Sequence, residues 1–216
     1  MKDFLILSCA NKNRFRADVN HKKYADAYSI KSQFSMITHL SNPFFIKPYC
    51  IANALEDNYE NILSIDDDAF FVDKNWDFRK IFKDYSEDLI VTRGKNKKSG
   101  ITLFNAGVMF IKNTKAMRTL FSRVTSVTNE ELKENWRPEW GPCVGNEQPR
   151  LIYLTQTLFP ELVKIIDYPG FNTSEIDFHK GIKEKNKRIP PIVHFTGQNK
   201  QAKIDRFNRK TNINLF

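Results

Sequence analysis

The stretch NILSIDDDAFFVD, residues 61–73, joins two apolar segments through three consecutive aspartates. Residues 61–65 predict a short buried strand, and residues 69–72 predict a second apolar strand directly after it. Adjacent carboxylates repel one another and are costly to desolvate, so packing alone does not explain Asp66, Asp67 and Asp68 at this position. A divalent cation would relieve the repulsion, because clustered carboxylate oxygens suit Mg²⁺ or Mn²⁺. A solvated turn or a helix N-cap is the alternative interpretation.

A second motif lies near the other end of the chain, in PPIVHFTGQNK, residues 190–200. Its apolar residues predict a terminal strand over 192–195, and His194, Gly197 and Lys200 follow one another at three-residue intervals. A histidine supplies a nitrogen ligand, a glycine lets the backbone approach a ligand, and a lysine neutralises phosphate. An imidazole ligand favours Mn²⁺ over Ca²⁺ and still allows Mg²⁺. A histidine among apolar residues is more often a core or surface residue, so the metal interpretation requires the two motifs to meet in space.

Four elements, in this order, resemble metal-dependent glycosyltransferases of the GT-A fold: Asp66-x-Asp68 after a strand, LFNAGVMFIKN (103–113), GNEQPRL (145–151) and the late HxxGxxK. The HxxGxxK and NAG elements are similar to those of the retaining glycogenin and bacterial lipopolysaccharide galactosyltransferase families. The IDDDAFFVD stretch and the region from HKKYADAYSI to KPYCIANAL resemble galactosyl-, mannosyl- and xyloglucan xylosyltransferases. A looser resemblance links the chain to compact transferase domains that large algal viruses encode for their capsid glycans.

This resemblance covers most of the chain, from about Phe4 to Lys200. It implies one α/β domain over residues 1–216, with a Rossmann-like, nucleotide-sugar-binding GT-A fold. The central sheet is expected to be mixed, mostly parallel and flanked by helices. Because ligands bind beyond the carboxyl ends of parallel strands, the loop after a first strand over 4–9 is placed to hold a nucleotide. Cys9 and Asn11 are the candidates near its base and ribose.

The resemblance also implies a ligand set and a donor site. Asp66, Asp68 and His194 are the predicted ligands of Mn²⁺ or Mg²⁺, with Asp68 the more direct one and Asp66 reaching the metal or the ribose. Gly197 and Lys200 are expected at the diphosphate. Asn105, with Ala106, is expected at the donor sugar, although small residues within a strand pair also indicate a β-bulge.

The predicted catalytic residues are Glu147, Gln148 and Asp67. Asn146, Glu147 and Gln148 begin a predicted helix, where polar residues are ordinary caps. The family pattern places an acid–Gln pair near the anomeric carbon and the acceptor. Asp67, between the two ligands, could point away from the ion and hydrogen-bond the backbone.

Two other features allow a functional and a structural interpretation. Lys47, at the start of a predicted helix, could reach phosphate, but a surface lysine is the favoured interpretation. Trp136 and Trp140 could stack on a sugar or pin their loop to the core, and pinning is favoured. Residues 169–179 are predicted to form a loop that covers the site.

The composition is that of a globular protein: 216 residues, 41% hydrophobic and 13% aromatic, with 18 phenylalanines and no low-complexity segment. No stretch approaches the roughly 20 apolar residues of a membrane-spanning helix. Cys9, Cys50 and Cys143 are far apart in sequence, which predicts reduced thiols and a cytoplasmic location. The net charge of +9 is consistent with a solubilising surface or with attraction to anions, either a nucleotide diphosphate or an anionic membrane. No nucleic-acid-binding module is recognisable, so nucleic acid is not an expected partner.

These observations predict an enzyme that transfers a hexose or deoxyhexose from a nucleoside diphosphate, most simply a UDP-sugar, to a glycan hydroxyl. The resemblance implies retention of anomeric configuration. One alternative is a sugar-phosphate nucleotidyltransferase, but that class needs a glycine-rich phosphate loop, and none of the 8 glycines lies in the first 93 residues. The other alternative is a non-enzymatic basic module that binds a glycan or nucleic acid, with affinity that falls steeply with salt.

Overall fold

The computed structural model describes residues 2–96, 100–143, 147–183, 190–211 and 213–216. The strands in these residues are β1 (Lys2–Ala10), β2 (Lys31–Met36), β3 (Tyr59–Ile65), β4 (Ala69–Phe71), β5 (Leu89–Asn96), β6 (Gly100–Lys112), β7 (Val163–Ile166), β8 (Asn172–Ser174) and β9 (Ile192–His194). The α-helices are α1 (Ala17–Ala27), α2 (Ile46–Glu56), α3 (Arg79–Asp84), α4 (Lys115–Arg123), α5 (Asn129–Asn135), α6 (Glu147–Leu158), α7 (Glu175–Lys183) and α8 (Lys200–Thr211). Short 3-10 turns occur at Pro43–Phe45, Pro138–Trp140 and Pro160–Leu162.

Six strands form the central sheet, in the order β2-β1-β3-β6-β5-β7. β1 is parallel to both β2 and β3, and β5 is parallel to β7. Within the described strands of the central sheet, β6 alone is antiparallel to its neighbours, β3 and β5. The prediction of a mixed, mostly parallel sheet flanked by helices is therefore confirmed.

The alternation of side chains along the strands supplies both faces of this sheet with apolar residues. Leu5 and Leu7 of β1 face one side, where they join a cluster containing residues of α2, α4 and α6. Ile6, between them, faces the other side and joins a cluster with Tyr24 of α1 and Phe82 near the end of α3. Because both faces are covered, the strands are almost continuously apolar, as expected for a parallel sheet.

A second sheet of three strands, in the order β4-β9-β8, lies beyond the end of β3. β4 and β9 are antiparallel, and β8 and β9 are parallel. Phe70, Val193 and Phe195 of this region pack against Ile204 and Phe207 of α8. This small sheet connects the aspartate motif to the late histidine motif.

Two expectations about local structure are wrong, and two helices were not predicted. The residues around 101–111 do not form two strands, because β6 continues through Asn105–Gly107 with shifts of register against β5. Residues 169–179 do not form a covering loop, because they contain β8 and most of the first two turns of α7. Residues 129–135 form α5 before the predicted loop, and α8 follows the last motif. Asn146, the predicted start of a helix, lies outside the described residues, and α6 is described from Glu147.

None of the helices in the described part of the chain has the length and apolar character needed to cross a membrane.

Candidate active site

Pairing between β4 and β9 brings the two sequence motifs together. The three aspartates form the connection between β3 and β4, and Ala69, the first residue of β4, lies opposite His194 at the end of β9. The backbone N–H of Phe195 donates to the carbonyl oxygen of Asp68 at 2.8 Å, which continues the pairing beyond the strand. Residues over one hundred positions apart in sequence are therefore adjacent in space.

Asp66, Asp68 and His194 form a compact group of potential metal ligands. Each offers one ligand atom, and these atoms lie within 4.8 Å of one another. His194 Nε2 is 3.0 Å from Asp68 Oδ1 and 3.7 Å from Asp66 Oδ2. No other group of three such residues occurs in the described ranges.

The charges in this group are strongly coupled. Burial opposes the charged form of His194, but the carboxylates of Asp68 and Asp66 outweigh it and raise its pKa. Burial also opposes the ionised form of Asp68, but His194 and Lys200 hold the pKa of this carboxyl well below its usual range. The Lys200 ammonium contacts Asp68 Oδ2 directly. Asp68 is therefore an anion whose surroundings are cationic.

Asp67 has a different environment from its two neighbours. Burial, with smaller effects from Asp68 and Asp66, raises the pKa of Asp67 to about 7. No hydrogen bond from the Asp67 side chain to the backbone is present among the described residues, so the predicted stiffening contact is not observed. Its side chain lies on the wall of the cleft.

Lys47 is buried, which contradicts the expectation of a surface lysine. It is 8% exposed. Its ammonium group contacts Asp66 Oδ1 at 2.6 Å and Glu147 Oε1 at 3.1 Å, and donates to the carbonyl oxygen of Ala106 at 3.0 Å. An ammonium group has three N–H donors, so the three protein acceptors occupy all of them. Although burial opposes its charge, the carboxylates of Asp66 and Glu147 raise the pKa of Lys47.

The segment Asn105–Gly107 is both a bulge and a point of close approach. Its register against β5 shifts between Val91 and Thr92 and again between Thr92 and Gly94. A Cβ atom on Gly107 would lie 2.1 Å from His194 Cε1 and 2.7 Å from His194 Nδ1. Position 107 must therefore be glycine, because the His194 imidazole occupies the space that a Cβ atom would need. The close approach indicated by this small residue is an approach by the imidazole.

Hydrogen bonds determine how the Asn105 amide is oriented. Its Oδ1 accepts from the backbone N–H of Gly107 at 2.8 Å and from Asn172 Nδ2 at 3.1 Å. Because a backbone N–H can only donate, the oxygen must face Gly107, and the NH₂ group of Asn105 must point elsewhere. Asn105 lines the cleft, so this NH₂ group can donate to a ligand there.

The first turn of α6 contributes Glu147 and Gln148. Glu147 pairs with Lys47, and Gln148 Oε1 accepts from the backbone N–H of Ala106 at 3.0 Å. Ala106 is 1% exposed, and both of its backbone polar groups are thus taken by Lys47 and Gln148. The backbone of Ala106 therefore connects Lys47 to Gln148 beneath the cleft. Its predicted contact with the donor stays a prediction.

All of these groups surround one cleft of about 470 Å³. Every site residue predicted from the sequence lines it except Ala106: Cys9, Asn11, Asp66, Asp67, Asp68, Asn105, Glu147, Gln148, His194, Gly197 and Lys200. Gly197 has a φ of +81°, a conformation that favours glycine. The cleft also contains Arg14, Phe15 and Phe44, which the sequence did not single out, and Lys47, for which the sequence favours a surface position.

The tryptophans of the 136–140 region pin their segment, as favoured from the sequence. Trp140 is 4% exposed, and Trp136 Nε1 donates to the carbonyl oxygen of Gly141 at 2.8 Å. The two rings contact each other edge to face, with centroids 5.2 Å apart.

The three-residue ligand group fits a divalent cation by its chemistry. Two carboxylates and an imidazole nitrogen converge at one place, and this donor set suits Mn²⁺ or Mg²⁺. His194 and Lys200 both contact the Asp68 carboxylate, so this ligand candidate also has two partners within the protein.

The arrangement of sheet, bulge and aspartate connection defines a GT-A-like nucleotide-sugar-binding fold, which confirms the fold predicted from the sequence. Three solved structures share it. The chain superposes over 96% of its length on 99% of a glycosyltransferase involved in the glycosylation of the major capsid of PBCV-1, with a TM-score of 0.70 and 16% identity. The chain also superposes, over 96% of its length, on the glycosyltransferase GlyE of Streptococcus pneumoniae TIGR4, of which 61% is covered, with a TM-score of 0.52 and 12% identity.

A third structure has a different activity. This structure is a 4-diphosphocytidyl-2C-methyl-D-erythritol synthase from Anaerococcus prevotii DSM 20548. The match covers 97% of the present chain and 99% of the synthase, with a TM-score of 0.53 and 7% identity. At these identities the likeness establishes the fold and not the reaction. No family model matches the sequence, and no curated protein does either.

Proposed function

We propose that this protein is a divalent-metal-dependent glycosyltransferase. It transfers a hexosyl or deoxyhexosyl group from a nucleoside diphosphate, a UDP-sugar, to a hydroxyl group of a glycan, with retention of anomeric configuration. The observation that carries the proposal is the convergence of Asp66, Asp68 and His194 in one cleft beside Lys200. A diphosphate needs cations, and this cleft offers a ligand set for a metal and a lysine at the same place.

In this mechanism Asp66, Asp68 and His194 hold Mn²⁺ or Mg²⁺. A bound ion would stabilise the negative charge that develops on the departing diphosphate. Lys200, which is 33% exposed, can turn from Asp68 to donate to the same leaving group. The Asn105 NH₂ group is directed towards the sugar, and Lys47 holds the carboxylates of Asp66 and Glu147 in position through its contacts with both.

The transfer breaks the bond between the anomeric carbon and the diphosphate oxygen, which takes the electron pair. The acceptor oxygen forms the new bond to that carbon and loses its proton. Two routes to retention differ in the role of Glu147 and Gln148. In the covalent route the Glu147 carboxylate attacks the anomeric carbon as the diphosphate leaves; the acceptor oxygen then displaces the carboxylate, and the released diphosphate takes the acceptor proton. In the front-face route the leaving phosphate takes the acceptor proton while Gln148 orients the acceptor.

The second candidate function is that of a sugar-phosphate nucleotidyltransferase. The observation in its favour is the shared fold with the 4-diphosphocytidyl-2C-methyl-D-erythritol synthase. Against it, β1 is followed by NKNRF, residues 11–15, and not by a glycine-rich loop. A nucleotidyltransferase would release pyrophosphate from a nucleoside triphosphate and a sugar phosphate, whereas the proposed reaction releases UDP from a UDP-sugar.

Calorimetry against a panel of nucleoside diphosphate sugars, with and without Mn²⁺, tests the proposal. We expect UDP compounds to bind most tightly and to need the metal. Asp68→Ala should abolish the metal-dependent part of the affinity, and Asp26→Ala should retain it, because Asp26 is 60% exposed in a surface pair with Lys22. Equal affinity in Asp68→Ala, or pyrophosphate release from a triphosphate, would reject the assignment.

The location of the protein belongs to the same proposal. Cys9, Cys50 and Cys143 are free thiols, which suits a reducing compartment, and we propose a cytoplasmic enzyme. The basic surface is consistent with contact to an anionic membrane on which an acceptor glycan is assembled.

A further inference from the structure

A second, smaller pocket opens beside the cleft and shares a wall with it. Asn105, His194 and Thr196 line both spaces. We call the smaller one the side pocket. Its other lining residues are Arg93, Gly94, Tyr168, Asn172, Thr173 and Ser174. Its volume is about 40 Å³.

The size of the side pocket limits what can enter it. On the same measure a water molecule needs roughly 10–15 Å³, so the space takes about three non-hydrogen atoms. A sugar ring is too large. A single exocyclic group of a sugar that is bound in the main cleft, such as a carboxylate or a hydroxymethyl group, is the right size.

The chemistry of the lining favours an anion. None of the described residues that line the side pocket is acidic, and Arg93 brings a cationic guanidinium group. Threonine and serine hydroxyls and the amides of Asn105 and Asn172 supply the remaining polar surface. A neutral hydroxymethyl group would fit by size but would leave the charge of Arg93 unused.

Arg93 is available for such a ligand. Its side chain is 39% exposed, and its Nε atom contacts Asp167 Oδ1 at 3.3 Å. The Asp167 side chain is 92% exposed, so this surface pair is weak and exchanges easily. A ligand carboxylate can replace Asp167 because the planar guanidinium matches a carboxylate in two parallel hydrogen bonds.

We propose that the side pocket binds the carboxylate of a sugar acid, so that the substrate of this enzyme carries a uronic acid, either as the transferred sugar or as the acceptor. This inference rests on the proposed function, because the carboxylate belongs to a sugar held in the main cleft, which shares Asn105, His194 and Thr196 with the side pocket. The net charge of +9 adds a general attraction for an acidic glycan.

Calorimetry in Mn²⁺ distinguishes the two sources of the carboxylate. One arm compares UDP-glucuronate with UDP-glucose, and the other compares glucuronate with glucose in the presence of saturating UDP. In at least one arm we expect the acid to bind about tenfold to hundredfold more tightly than its neutral counterpart. Arg93→Gln should remove this preference and leave the affinity for UDP alone unchanged.

Arg206→Gln is the matched control. Arg206 is 50% exposed and also makes one ion pair, with Glu175 at 3.4 Å, so its loss changes the net charge equally without touching the side pocket. The inference is overturned if acid and neutral sugars bind equally in both arms, if the preference survives Arg93→Gln, or if Arg206→Gln removes it to the same extent. Absence of Mn²⁺-dependent UDP binding would instead reject the proposed function itself.

Discussion

Replacement of Gly107 by alanine places a methyl group where the His194 imidazole now lies. The new carbon would be 2.1 Å from His194 Cε1, and ordinary contact begins at 3.4 Å, so the ring must retreat by about 1.3 Å. The ring has little freedom to do so while it keeps its contact with Asp68 at 3.0 Å, because its side chain is 7% exposed. We therefore expect Gly107→Ala to displace a ligand without changing any ligand residue.

The size of the effect follows from the tolerance of metal coordination. Ligand distances vary by only about 0.2 Å, so a shift of this size removes His194 from the ligand set. Substitution of residues that only hydrogen-bond to metal ligands already lowers metal affinity by about 10–100-fold. Loss of a ligand should weaken Mn²⁺ binding by at least about 100-fold, or about 2.7 kcal/mol. Overpacking should also lower the free energy of unfolding by about 1–3 kcal/mol.

Free Mn²⁺ in a titration, measured by electron paramagnetic resonance, reports the affinity, and denaturant unfolding reports the stability. Gly181→Ala is the control, because a Cβ atom there meets nothing within 4 Å and alanine favours the helix that contains it. In a His194→Ala background Gly107→Ala should cost little more metal affinity, since its effect acts through the ring. Mn²⁺ binding by Gly107→Ala within threefold of the wild-type affinity would refute this reasoning.

Three further outcomes are expected. Lys47→Met should lower the free energy of unfolding by about 3 kcal/mol, because it leaves two partly buried carboxylates without their cation. The exposed Lys22→Met should change it by less than about 1 kcal/mol. Asn172→Ala should weaken binding of a UDP-sugar about tenfold in calorimetry but not binding of UDP, because the Asn105 amide loses one of the two donors that orient it. Burial lowers the pKa of His21 to about 4, below its ordinary 6.5, so the unfolded chain takes up a proton first on acidification. The contribution of His21 to the free energy of unfolding should therefore fall by about 2 kcal/mol between pH 7 and pH 5. The free energy of unfolding of the wild type minus that of His21→Gln should fall by this amount over the same range, and a difference that does not change with pH would contradict this reasoning.

The convergence of Asp66, Asp68 and His194 was predictable because their chemistry is visible in residue type. Three adjacent aspartates are costly without a partner, and a resemblance in four elements pointed to His194 as that partner. Its position next to Asp68 then follows from the pairing of Ala69 with His194. The fold was predictable for a similar reason, since the apolar runs of β1, β3 and β5 have the composition of buried parallel strands.

Lys47 and Gly107 escaped prediction because their roles depend on tertiary structure. A lysine at the start of a helix has the same local signature whether its side chain meets solvent or two carboxylates. Gly107 indicated close approach by something, but only the position of β9 shows that His194 fills the space. β8 was missed because three residues, Asn172–Ser174, carry no alternating pattern of their own and form a strand only against β9.

The pairing of β4 with β9 has a consequence for the whole polypeptide. An ion held by Asp66, Asp68 and His194 would bind two distant segments that meet only in the folded chain, so it would stabilise the fold against unfolding. The contribution of Mn²⁺ to the free energy of unfolding would then increase with the concentration of free Mn²⁺. Chelation should make the region after Asp68 more susceptible to proteases, so metal supply would govern the lifetime of the protein as well as its chemistry.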